Sequence, residues 1–79
     1  MLDFDDFCAR LACELELTPD SMRSNTSLID DLKFDSLLTF ELVLLIEELI
    51  SGMIPEELIG QLVTLEDVFS LYRTRATQN

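Results

Sequence analysis

Apolar residues recur at three- and four-residue spacing along most of the chain, a pattern that predicts helices. Phe4, Phe7, Cys8, Leu11, Ala12 and Leu15 form one stripe, with Asp5, Asp6, Arg10, Cys13 and Glu14 on the opposite face, so a first helix is expected from an Asp3 cap to about Leu17. Thr18 caps the following segment, Pro19 suits its first turn, and Ser21 to Ser27 reads as polar loop. Ser27-Leu28-Ile29-Asp30 has the form of a capping box, and a short helical turn there would tack the loop onto the core through Leu28, Ile29 and Leu32.

Asp35 and Ser36 precede the most apolar run, Leu37 to Ile50, which stops at Ser51-Gly52 with Gly52 placed to terminate a helix. Pro55 opens a short helix lasting to about Gly60 or Leu62, with Glu56 and Glu57 at its positive end. Thr64-Leu65-Glu66-Asp67 is a second capping box, leading a last helix whose stripe is Leu65, Val68, Phe69 and Tyr72. No segment shows strand-like alternation and no repeat is present. The fold class expected is all-α: a small four-helix bundle of three main helices and one short one, with a long loop between the first two main helices. Residues 1–79 form one domain, with an ordered core over about 3–73 and a flexible polar tail over 74–79.

The long central helix is too hydrophobic for its place. At about 100° per residue, Leu42, Ile46, Leu49 and Ile50 point inward with Thr39 and Val43 alongside. Leu37, Phe40 and Leu44 point the other way, beside Glu41, Glu47 and Glu48, where a solvated helix should be polar. One reading is a docking face, apolar for affinity and acidic to steer a basic partner. A central helix buried on several sides, or a homodimer covering the strip, would explain the same pattern.

Charge narrows the options. Of 79 residues, 16 are Asp or Glu and 5 are Lys or Arg, a net charge of −11 with no histidine. Without histidine the commonest general base and metal ligand are missing, and a chain this short buries only about 60% of its unfolded surface, leaving little room for an active-site cleft. An acidic surface repels nucleic-acid phosphates and anionic lipid, so no nucleic-acid partner is expected. A 48% apolar share argues for a folded chain in spite of its charge. Self-repulsion should make magnesium or moderate salt raise the melting temperature, which a salt series measures. The acid clusters lack the ordered spacing of a calcium loop, so no metal site is expected. Cys8 and Cys13 fall on roughly opposite faces of one helix, a poor geometry for a disulfide, and two free thiols fit a reducing, cytoplasmic setting. No secretory signal or membrane span is apparent.

The segment Ser27-Leu28-Ile29-Asp30-Asp31-Leu32-Lys33-Phe34-Asp35-Ser36-Leu37, followed by Glu41-Leu42 and Glu47-Glu48, resembles the phosphopantetheine-attachment region of acyl carrier proteins. The similarity continues through Ile54-Pro55-Glu56-Glu57 and Leu62-Val63-Thr64 into the last helix. An Asp-Ser-Leu tripeptide alone is weak; within this whole pattern it is strong. The resemblance implies a carrier that is a substrate of enzymes. A phosphopantetheinyl transferase would place the 4′-phosphopantetheine arm of coenzyme A on Ser36, with Asp35 helping it engage, and acyl groups would ride as thioesters on the arm. Leu37, Phe40, Glu41, Leu44, Glu47 and Glu48 match the family's partner-recognition surface, which serves acyl-loading, condensing and modifying enzymes with basic docking faces. Leu42, Ile46, Ile54, Leu62 and Phe69 match candidates to line an acyl pocket, and read equally as ordinary core. A monomer is expected.

A serine before an apolar run is ordinarily a helix cap, the competing reading of Ser36. Two positions depart from the family. Lys33 stands where glycine is usual, so it either tolerates an unusual backbone angle or alters the loop before Ser36. Leu38 replaces an acid frequent in stand-alone fatty-acid carriers and looks more like the Ser-Leu-Leu of polyketide-type carriers. Competing functions are an aminoacyl or peptidyl carrier, which lacks here its glycine-rich approach to the serine, and an unmodified helical adaptor.

Overall fold

The computed structural model describes residues 2–18 and 22–76. Four helices follow in order: α1 (Phe4–Leu15), α2 (Ser36–Ile50), α3 (Glu56–Ile59) and α4 (Leu65–Ala76), with no strand among the described residues. This is the all-α architecture the apolar spacing predicts. Asp3 caps α1 by accepting the Asp6 N–H at 2.8 Å, and the stripe of α1 is buried but for half-buried Phe4. Thr64 and Asp67 form the reciprocal cap of α4: the Thr64 hydroxyl accepts the Asp67 N–H at 3.3 Å, and the Asp67 carboxylate accepts the Thr64 N–H at 3.1 Å. Pro19 and Ser21 lie outside the described residues, as does the tail from Thr77 onward; α4 itself runs to Ala76, past the Arg73 where the sequence ends the ordered core.

Helix α2 is the centre, packing on both α1 and α4. Leu42 and Ile46 are fully enclosed, together with Phe7 and Leu11 of α1 and Leu65 and Val68 of α4. Leu45 is buried too, although the wheel leaves it off the inward face, because α2 meets neighbours on two sides. The bottom of the bundle is aromatic: Phe7 stacks on Tyr72 at 4.8 Å between centroids, and Phe4 meets Phe69 edge-on at 5.4 Å. The Tyr72 hydroxyl accepts the Leu2 N–H at 2.8 Å.

The long loop is less polar in its packing than in its composition. Met22 is buried, and the Thr26 hydroxyl accepts the Arg23 N–H at 2.8 Å. Ser27 pairs with Thr64 as an isolated antiparallel bridge; Leu28 N–H donates to Val63 at 2.9 Å and Leu65 N–H to Thr26 at 3.1 Å. Loop and α4 are thereby stitched by backbone.

Three expectations need correction. Of the three residues expected to tack the loop down, Leu28 is buried and Leu32 packs part-buried on the core, but Ile29 is 70% exposed, and Phe34 is buried as well. The capping partner of Ser27 is Asp31, whose carboxylate accepts the Ser27 N–H at 2.8 Å, while the Ser27 hydroxyl accepts the Asp30 N–H at 3.1 Å. Gly52 does not end α2 by a left-handed turn; Ser51 does, at φ 54, and no glycine has positive φ.

Candidate functional site

Asp35 is extended, at φ −109 and ψ −174, and its Oδ1 accepts the Leu38 N–H at 2.8 Å while its carbonyl accepts the Thr39 N–H at 3.0 Å. Asp35 is therefore the cap of α2, and the competing reading of Ser36 as the cap fails. Ser36 is the first residue inside the helix and exposed, and its hydroxyl bonds to none of the described residues. The first N–H groups of a helix have no intrahelical acceptor, and with Leu38 served by Asp35, those of Ser36 and Leu37 remain for an external anion. A phosphate ester on Ser36 fits this place in both sterics and charge.

The approach to Ser36 is a tight helical turn. Leu32 N–H donates to Ser27 at 3.1 Å, and Phe34 N–H reaches back to Leu28 at 2.8 Å, a closure one residue wider that encloses a left-handed residue. That residue is Lys33, at φ 58. The side chain takes the angle a glycine would take freely, at a cost of about 1 kcal/mol.

Behind Ser36 the strip on α2 is open. Leu37, Phe40 and Leu44 expose 64%, 59% and 48% of their surface, with Glu41 and Glu48 exposed beside them. Burial of the helix on all sides is thus ruled out within the single chain. Glu47 does not join this face freely: its Oε2 accepts the Ile54 N–H at 2.9 Å and ties the loop after α2. Glu14 of α1, assigned by spacing to a merely solvated face, joins Glu41 and Glu48 around a shallow groove floored by Leu15, Leu44 and Leu45. Its carboxylate also pairs with Arg10 at 3.4 Å. No periodicity within one helix could reveal it, since the neighbours come from α2.

The residues matched to an acyl pocket fall in different places among the described residues. Leu42, Ile46 and Ile54 are packed core, Phe69 borders a cleft with Leu2 and Phe4, and Leu62 lines an open cleft of about 360 Å³ between α3 and α4 with Leu58, Leu71 and Arg75. No group of three or more candidate metal ligands occurs among the described residues, and no described helix is long and apolar enough to cross a membrane.

Against this geometry stand the relatives. The chain is 35% identical over 68 residues to the acyl carrier protein of Campylobacter jejuni subsp. doylei, covering 86% of this chain and 88% of that one. It is 42% identical over 57 residues to the acyl carrier protein of Bdellovibrio bacteriovorus, covering 72% and 73%, and 31% identical over 74 residues to that of Wolinella succinogenes, covering 94% and 97%. No family model matches. The chain belongs to the acyl carrier protein family.

Proposed function

We propose that this protein carries acyl intermediates as thioesters on a 4′-phosphopantetheine arm joined to Ser36, and presents them to fatty-acid or polyketide-type biosynthetic enzymes. The observation that carries this reading is the spared hydroxyl: Asp35 caps α2, so Ser36 stands exposed at the helix start with its oxygen uncommitted. On loading by a phosphopantetheinyl transferase, Ser36 Oγ gives its proton to a base on that enzyme and bonds the phosphorus of coenzyme A. The pyrophosphate P–O bond breaks and adenosine 3′,5′-bisphosphate leaves. The arm supplies a terminal thiol on a long flexible tether.

The chain's own residues do the rest. Asp35 holds the helix start in place while Ser36 reacts, and the N–H groups of Ser36 and Leu37 offset the new negative charge. Leu37, Phe40 and Leu44 offer apolar contact, and Glu41 and Glu48 orient basic partner surfaces, with Glu47 supporting the strip from the loop side. Leu38 packs part-buried against the core and takes a carboxylate away from the head of the strip, which favours polyketide-type partners over those of primary fatty-acid synthesis.

The test is to incubate the protein with coenzyme A and a broad-specificity transferase and measure intact mass. The wild type should gain one arm and Ser36→Ala none. No gain in the wild type, or a gain that survives the substitution, overturns the reading.

A further inference from the structure

We propose that Lys33 is the counter-ion of the phosphodiester formed on Ser36, an inference that rests on Ser36 being the attachment point. Lys33 is the chain's single lysine and the only basic residue between Arg23 and Arg73, a stretch that carries ten acids. In such a stretch a lone ammonium would be expected to sit against a carboxylate. It does not: Lys33 is exposed, and no acid among the described residues lies within ion-pairing distance of it. The acids nearest in sequence are turned to backbone work instead, Asp31 on the Ser27 N–H and Asp35 on the Leu38 N–H, each at 2.8 Å.

Its backbone makes the placement more telling. The turn from Leu28 to Phe34 demands a left-handed residue, and glycine would meet the demand without strain; this chain holds a lysine there at φ 58. A side chain kept in a sparsely populated conformation beside a reactive group points to a use for that side chain. Ser36 lies three positions further along the chain, a span of at most about 10 Å, which a flexible four-carbon stem and a phosphate reaching out from Ser36 Oγ can close. The added phosphate brings one more negative charge to a chain already at −11. Lys33 offsets that charge from the loop side as the N–H groups of α2 do from the helix side. The root of the arm is thereby held toward the Leu28–Phe34 turn while its thiol end stays free.

Four proteins test this: wild type, Lys33→Gln, Lys33→Arg and Lys33→Gly, each treated with coenzyme A and transferase and checked by intact mass. The readouts are the phosphorus NMR shift of the phosphodiester across a sodium chloride series and the melting temperature of loaded minus unloaded protein. Wild type and Lys33→Arg should show a shift that moves as salt rises, whereas Lys33→Gln and Lys33→Gly should sit from the start where the wild type ends. Loading should lower the melting temperature by about 2–4 °C more in Lys33→Gln than in wild type, a difference that salt removes. Identical phosphorus shifts for loaded wild type and Lys33→Gln at low salt overturn the inference and leave the attachment intact. Failure of the wild type to load overturns both.

Discussion

The Glu47 carboxylate accepts the backbone N–H of Ile54 at 2.9 Å, seven residues away and partly shielded from water. This contact separates Glu47 from Glu41 and Glu48, which share its helix and its charge but lie exposed. One acid braces the turn into α3; the other two face outward.

Glu47→Ala is therefore expected to destabilise the fold by about 1–2 kcal/mol, with Glu47→Gln retaining part of the contact. Glu41→Gln and Glu48→Gln should leave stability unchanged or slightly raised, because each lowers the net negative charge. Urea unfolding at fixed ionic strength measures all four, and equal losses across the three positions would refute the division.

Capping and reactivity fall on neighbouring residues. Asp35→Ala should cost about 1 kcal/mol, or roughly 4–8 °C in melting temperature, while Asp35→Asn keeps most of the cap. Ser36→Ala should melt within about 0.5 kcal/mol of wild type, since Ser36 holds no hydrogen bond among the described residues. If Ser36→Ala loses as much as Asp35→Ala, the hydroxyl is structural after all.

The exposed strip should be silent in folding and loud in recognition. Leu44→Glu and Phe40→Ala are expected to shift stability by no more than about 0.5 kcal/mol while raising the KM of the transferase for the unloaded protein at least several-fold. Unaltered transferase kinetics would remove the strip from the docking surface.

The two thiols differ by burial. Cys13 is exposed and Cys8 is buried, and desolvation, followed by the nearby Asp5 charge, pushes the Cys8 thiol above its ordinary value of 9.0. Iodoacetamide at pH 8 should take up one equivalent on the native chain, at Cys13, and two after unfolding. Because the folded thiol holds its proton to higher pH than the unfolded one, its contribution to stability is intact below pH 9 and is lost as pH rises from there through the raised value. Stability of wild type should thus fall more steeply than that of Cys8→Ala above pH 9, in denaturant titrations at matched pH.

Periodicity made the helices, the α1 stripe and the inward face of α2 legible, because each depends on spacing within one segment, whereas the second buried side of α2, marked by Leu45, was not. The exposed Leu37, Phe40 and Leu44 were legible for the same reason. What spacing cannot show is which acid meets which backbone group. Asp35 took the cap from Ser36, Ser51 took the left-handed turn from Gly52, and Glu47 turned toward Ile54; all three are decided by the local course of the chain. Met22 and Phe34 were missed because isolated apolar residues in polar loops carry no period, and Glu14 because its neighbours belong to another helix.

The contact between Leu2 and Tyr72 joins positions 70 residues apart, and Phe4 meets Phe69 just beside it. The segment entering α1 and the last helix are thus neighbours. A linker from the end of α4 at Ala76 back to Leu2 would close the chain, and the backbone could be reopened at the exposed turn near Ser24 and Asn25 with the same helices in a new order.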